Sequence, residues 1–239
     1  MKITAMGDSA IKIEFDGEVT PTLNKKIQLF CLKLEKAAIH GVIEWVPAFN
    51  SIAIYYDPTK ILFKELMKEL EWISLKPLEQ KVVTQRLLHV PVLYGGEVGS
   101  DLERVARYNE ISSEMVITLH QEPDYLVYMM GFLPGFPYLG GLPTKLATPR
   151  LEEPRSNTFA GAVGIAHEQT GIYPLASPGG WNIIGRTPIR LFNPNYEQDA
   201  FQFKAGDLIR FYQITEKEYD NIVKQMGNGT FKVKQEQKK

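Results

Sequence analysis

Residues 131–188 read GFLPGFPYLGGLPTKLATPRLEEPRSNTFAGAVGIAHEQTGIYPLASPGGWNIIGRTP, and the character of the chain turns on them. These 58 positions hold ten of the nineteen glycines and eight of the fifteen prolines. A run of helices is excluded, because an interior Pro costs about 3 kcal/mol and an interior Gly about 1. A flexible linker is excluded as well. Linkers of this composition lack large apolar groups, whereas Phe132, Phe136, Tyr138, Phe159, Tyr173 and Trp181 alternate here with the turn-formers. Turn residues interleaved with aromatics and short Ile/Val runs predict a tightly folded β structure with shaped, ordered loops.

The flanks agree. A continuous apolar run at 125–131 has strand length, and strand-like runs follow at 190–193 and 207–212. Ser100-Asp101-Leu102-Glu103 matches a capping box, a second short helix fits 113–120, and Thr215-x-x-Glu218 caps a closing helix. With no run of βαβ units, a closed barrel is favoured over a doubly wound sheet. Residues 1–80 carry a different pattern: a strand at 11–15, a helix opened by Thr20-Pro21, strands at 42–46 and 52–56, and a helix opened by Asp57-Pro58-Thr59. Its apolar stripe is Leu62, Leu66, Leu70 and Ile73. The strand-like 82–92 ends that order. Two helices on one face of a small antiparallel sheet predict a ferredoxin-like α+β domain over 1–80. A mainly β barrel with a C-terminal helix is expected over 81–239. The polar stretch 74–85, with Pro77, marks the boundary.

Composition narrows the function. The chain of 239 residues is 44% apolar and carries a net charge of −1, which removes the electrostatic case for nucleic acid or an anionic membrane. No apolar run approaches the ~20 residues that cross a bilayer, and MKITAMGDSA lacks a leader-like apolar core, so a cytoplasmic location is expected. The single Cys31 lies on a helical apolar face, where a thiol is inert. No HExxH, HxH or acidic loop points to a metal. Neither a P-loop nor G-x-G-x-x-G is present, and Ser177 sits in a turn context. The arginines remain. Arg150 and Arg155 each follow Pro, and Arg186 precedes Thr-Pro; a guanidinium fork suits a carboxylate or phosphate. Alternatively they pin a long loop through Glu152, Glu153 or backbone carbonyls. Glu168, Gln169 and Thr170 supply a polar pocket lining, and His167 and Glu168 are the candidate acid and base.

YGGE at 94–97 with Asp101-Leu102, GFLPGFPYLGGLP at 131–143, the two Pro-Arg pairs, QTGIYPLASPGGWNIIGRTP at 169–188 and AGD at 205–207 resemble the Kip-type family. Its members go by 5-oxoprolinase B subunit, kinase A inhibitor and allophanate hydrolase subunit 1. The resemblance implies a cyclophilin-like barrel behind a small α/β domain. It also implies ATP-dependent opening of 5-oxoproline to glutamate, in company with a related barrel protein (the C subunit) and a separate hydrolase (the A subunit). Within that reading Arg150, Arg155 or Arg186 clamps the substrate carboxylate, with Gln169 and Thr170 beside it, and ATP is used by the complex. A second implied role is inhibition of a sporulation histidine kinase, gripped by an aromatic groove of Phe132, Phe136, Tyr138, Tyr173 and Trp181. The family pattern AGSVGIAGGQTGIYP is altered here: Ala162 replaces a serine, and His167 and Glu168 replace two glycines.

Overall fold

The computed structural model describes residues 1–75, 84–195 and 200–238. Two compact units divide the chain, Met1–Val83 and Thr84–Lys239. The boundary read at residue 80 falls outside the described residues.

In the first unit β1 (Lys2–Ala5), β2 (Ala10–Glu14), α1 (Pro21–Ala37), β3 (Val42–Pro47), β4 (Ser51–Tyr56) and α2 (Phe63–Leu75) follow in order. Thr20 caps α1 by accepting the Leu23 N–H at 3.2 Å, one turn before the apolar stripe begins. Ile13 pairs with Ile52 and Ile11 with Ile54 across β2 and β4, which puts all four on one face. That face packs with Ile27, Leu34, Leu66, Leu70 and Ile73 of the two helices.

The antiparallel sheet runs β1-β2-β4-β3. Its composition departs from expectation at one edge. β1, unread in the sequence, lies beside β2, while the strand-like run that follows α2 is β5 (Gln85–Tyr94) of the second unit, inside the bounds expected for the barrel. α2 also begins later than Asp57-Pro58-Thr59 suggested. Asp57 Oδ1 accepts the Thr59 N–H at 3.0 Å and its hydroxyl at 2.6 Å, holding a turn instead of a helix. Leu62 consequently lies outside the stripe, 62% exposed.

The second unit continues from β5 with α3 (Leu102–Tyr108), α4 (Ser113–Gln121), β6 (Tyr125–Met130), β7 (Pro137–Gly140), β8 (Arg155–Thr158), β9 (Ala162–Ala166) and β10 (Gln169–Ile172). β11 (Ser177–Gly179), β12 (Asn182–Arg186), β13 (Leu208–Gln213), α5 (Glu216–Gly227) and β14 (Gln235–Lys238) complete it. The expected strand at 190–193 is a loop with one isolated bridge, Phe192 to Phe201.

Seven strands, in the order β12-β9-β10-β7-β6-β13-β5, form a ring that closes where Gly185 and Arg186 of β12 pair with Tyr94 and Leu93 of β5. Closure needs close backbone approach. A Cβ on Gly185 would stand 2.6 Å from the Leu93 carbonyl oxygen, and one on Gly99 only 2.3 Å from that of Ile184. β14 pairs with residues 85–88 of β5, covering edge that β12 leaves open. Val90, Val92, Val127, Leu139, Val163, Ile165 and Ile209 fill the interior.

One polar group sits in that interior. His120, on the last turn of α4, is fully buried. It stacks on Phe211 with ring centroids 4.5 Å apart. The Thr170 hydroxyl donates to the Gly164 carbonyl at 3.0 Å, so toward His120 it accepts, which places the proton on Nε2. Nδ1 then accepts the Tyr94 hydroxyl at 2.8 Å. Burial depresses the imidazole pKa to about 3.

Between roughly pH 6.5 and 3 the unfolded chain therefore takes up a proton that the folded one refuses. Stability falls as pH falls through that window, by about 1.4 kcal/mol per unit from this residue. His120→Gln will be less stable than wild type at pH 7, and denaturant titrations from pH 6 to 4 will show that deficit shrinking at about this rate.

Candidate functional site

The expected arginine clamp does not assemble as one unit. Arg155 opens β8 and turns toward the barrel wall, where Nη2 lies 2.6 Å from Asp101 Oδ1 and Nη1 3.4 Å from the Trp181 carbonyl. The other oxygen of Asp101 accepts the Ile183 N–H at 2.6 Å. The capping box expected at 100–103 does not form: Ser100, its capping residue, closes the 3-10 turn at 96–99, and α3 starts one residue later, with Asp101 at the N-cap making no side-chain cap. A carboxylate with two tertiary donors has no reason to take the local one.

Arg186 donates from Nε to the Ala160 carbonyl at 3.0 Å and lies 4.9 Å from the Phe159 ring centroid, within 6.0 Å of that of Tyr219 on α5. Both guanidiniums pin structure. Arg150 differs: it is exposed and, among the described residues, makes no hydrogen bond or ion pair.

The aromatic set also divides. Phe136, Tyr173 and Trp181 are at most 5% exposed and pack edge to face, Phe136 lying 5.2 Å from Tyr173 and 5.5 Å from Trp181. They form a second apolar cluster with Ala162, Ala166 and Ile183, so they do not line an open groove. Large rings beside small strand residues bury more area than they could against water. Tyr138 is half-buried at the edge of this cluster, and Phe132 stands 63% exposed. Burial raises the phenol pKa of Tyr138 and of Tyr173, and the Arg150 guanidinium opposes it at both, which places that charge beside the cluster.

Three separate segments meet at a cleft of about 390 Å³: Tyr108 at the end of α3, Ala147-Thr148-Pro149, and His167-Glu168-Gln169 at the β9–β10 turn. The walls are fixed by the backbone. Thr148 N–H donates to the His167 carbonyl at 3.2 Å, and His167 N–H to that of Thr148 at 2.7 Å. The Thr148 hydroxyl accepts Asn109 Nδ2 and donates to the Leu146 carbonyl, each at 3.0 Å. Asn182 holds Pro149 from behind, Nδ2 donating to its carbonyl at 2.8 Å, while Oδ1 accepts Arg104 Nε at 2.8 Å.

Of the expected site residues, His167, Glu168 and Gln169 line this cleft, and Arg150 follows directly on its Pro149 wall. Thr170 does not reach it. The alternation of β10 turns Thr170 into the barrel, fully buried against His120. Sequence reasoning missed Tyr108, Thr148 and Asn182, which carry no motif and meet only through the fold. No group of His, Cys, Asp and Glu able to hold a metal ion occurs among the described residues.

Residues 1–202 match the family described as carboxyltransferase domain, subdomain C and D. The chain belongs to that family. It is 40% identical over 228 residues to the 5-oxoprolinase B subunit of Bacillus subtilis (strain 168), covering 91% of this chain and 95% of that one. The crystal structure of TTHA0988 superposes with a TM-score of 0.76 at 35% identity. This chain covers 40% of that longer protein, with 86% of its own length aligned. The Kluyveromyces lactis urea amidolyase structure matches 98% of this chain and 16% of its own at a TM-score of 0.79. At 23% identity this speaks for the fold, barrel included.

Arg155→Lys keeps a positive charge but loses the planar fork toward Asp101 and Trp181. We expect a loss of about 1–2 kcal/mol, discounted for partial exposure, seen as a melting point lower by about 2–8 °C. An unchanged melting temperature would show that Arg155 does not pin this loop.

Proposed function

We propose that this chain is the B subunit of an ATP-dependent 5-oxoprolinase, working in the cytoplasm with a barrel protein of the C-subunit type and a hydrolase of the A-subunit type. The observation that carries this reading is the 40% identity to a protein named as a 5-oxoprolinase B subunit, extending over nearly all of both chains. In the same reading the ring is a cyclophilin-like barrel and the small sheet a ferredoxin-like domain whose edge strand comes from its N-terminal end.

The reaction breaks one amide bond. Water adds to the lactam carbonyl, the ring C–N bond breaks, and the nitrogen takes a proton to become the amine of glutamate. ATP bound by the complex would supply the driving force by giving its terminal phosphoryl group to the amide oxygen, with ADP and then inorganic phosphate leaving. The three glycine pairs here do not suit a triphosphate: Gly179-Gly180 leads into Trp181 and a strand, Gly140-Gly141 ends β7 and passes into Leu142-Pro143, and Gly95-Gly96 opens a short 3-10 turn bearing Glu97. Nucleotide binding is therefore assigned to the partners.

What this chain offers is a cleft whose Pro149 wall runs on into Arg150, a guanidinium that makes no hydrogen bond or ion pair among the described residues. Arg150 holds the substrate carboxylate, Gln169 faces the lactam amide, and Glu168 or His167 carries the proton to the leaving nitrogen. Near 390 Å³ the cleft lies at the small end of ligand sites, which suits a single-ring acid.

Three purified proteins test this. The chain alone will not turn over 5-oxoproline, and activity will appear when the A-type and C-type partners are added with ATP. In that complex Arg150→Ala will lower kcat/KM about tenfold to a hundredfold, the equivalent of a charged hydrogen bond worth roughly 1.5–3 kcal/mol, with assembly and melting unchanged. Full turnover by the isolated chain would refute a shared site.

A further inference from the structure

Arg150 is located by the residues on either side of it. The Pro149 carbonyl accepts Asn182 Nδ2 at 2.8 Å, and the Leu151 N–H donates to the Gly180 carbonyl at 2.7 Å. These attachments flank Trp181, so Arg150 lies across from it, and residues that face each other across paired segments are within reach of one another. The Trp181 ring is 6.0 Å from that of Tyr138 and 6.5 Å from that of Tyr173. The two phenols differ in access. A Cβ at Gly179 would stand 2.4 Å from the Tyr173 hydroxyl oxygen, which is pressed against backbone and hydrogen-bonded to that of Trp181. Tyr138 is half-buried and reaches the surface.

Strand register connects Tyr138 to the cleft. Leu139 pairs with Thr170 and both face the barrel interior, so Tyr138, which pairs with Gly171, faces outward. Gln169, two residues from Gly171, faces outward as well and is the diagonal neighbour of Tyr138, a spacing of about 7–8 Å. Gln169 also lines the cleft. The cleft, Tyr138 and Arg150 therefore follow one another along the outer surface of the barrel, with the guanidinium beyond the cleft and not in its wall.

We propose that Tyr138 is a further substrate-binding residue, its hydroxyl joining the Arg150 guanidinium to hold the carboxylate of a small acid at a subsite just past the Gln169 end of the cleft. This rests on the 5-oxoprolinase reading above. The donors match the ligand. A guanidinium brings charge and N–H groups, a neutral phenol adds one O–H, and a carboxylate accepts from both. Glu168 sits in the turn on the other side of Gln169, which leaves the Tyr138 end the more favourable one for an anion.

Tyr138→Phe keeps the ring in its packing and removes only the hydroxyl. In the reconstituted complex its KM for 5-oxoproline will rise about fivefold to tenfold, with kcat and melting temperature close to wild type. Added to Arg150→Ala it will cost little more, because the two groups hold one carboxylate. Inhibition by 2-pyrrolidinone, the same ring without a carboxylate, will be unaffected.

An unchanged KM overturns the proposal. So do a double variant whose losses multiply and a 2-pyrrolidinone inhibition weakened as much as 5-oxoproline binding. If the complex is inactive on 5-oxoproline, the functional reading falls by itself. The subsite is then decided on the isolated chain, by titrating 5-oxoproline or acetate and following the Arg150 Nε–H resonance. A saturable shift that Tyr138→Phe weakens upholds the subsite. A shift with neither acid, or one as strong in the variant, overturns it.

Discussion

The buried carboxylate of Asp101 ties the second unit together. It lies at the start of α3, yet its oxygens go to Arg155 of β8 and to the Ile183 N–H of β12, while its own N–H donates to the Ile183 carbonyl at 2.8 Å. One side chain thus fastens a helix, a barrel strand and the ribbon that β8 forms with β11. A carboxylate only 7% exposed is tolerable because both oxygens are satisfied and a cation neutralises it. Removing either partner would leave charge in a poorly solvated place, a larger loss than the contact itself supplies.

That arrangement decides which groups remain for chemistry. The turn-rich stretch carries three arginines, and two are absorbed in holding it folded: one by Asp101, the other by a carbonyl and two aromatic rings. The loop 147–155 is then held along β12, with Leu151 N–H donating to the Gly180 carbonyl at 2.7 Å and Asn182 gripping Pro149. Arg150, between these attachments, has a fixed backbone and an uncommitted side chain. Rigid support under a free charge is what a positioning group requires.

Legibility followed the range of the physics involved. The stripe of α1, the alternation in β2 and the capping box of α5 are local, and sequence spacing shows them directly. The dense turns between aromatics correctly pointed to a barrel. What could not be read depended on partners far along the chain. Ser100-Asp101-Leu102-Glu103 has the pattern of a cap led by Ser100, but Ser100 ends the preceding 3-10 turn, and Asp101, where α3 starts, is held by residues 54 and 82 positions away. His120 looks like an ordinary helix-ending residue until Tyr94 and Thr170 enclose it. β1 is only four residues long, too short for alternation to stand out. At the site, His167, Glu168 and Gln169 were recognisable as a polar run, whereas Tyr108 and Thr148 belong to the cleft solely because three segments converge.

The seam of the barrel has a consequence for how the molecule reaches its native state. The β9–β10 hairpin closes over two residues, whereas the β5–β12 seam joins Tyr94 to Gly185, 91 positions along the chain. The parallel β5–β13 pairing spans a longer distance still, from Leu87 to Leu208. Loop closure of that length is entropically costly before any contact rewards it, and chains dominated by such pairings fold slowly. The turn that bears His167 can therefore form early, while the ring stays open until its two most distant strands meet. During that interval the edge of β5 is unpaired. The strongly polar Gln235–Lys238 strand, arriving from the far end of the chain, is well suited to cover it without inviting a second molecule to do so.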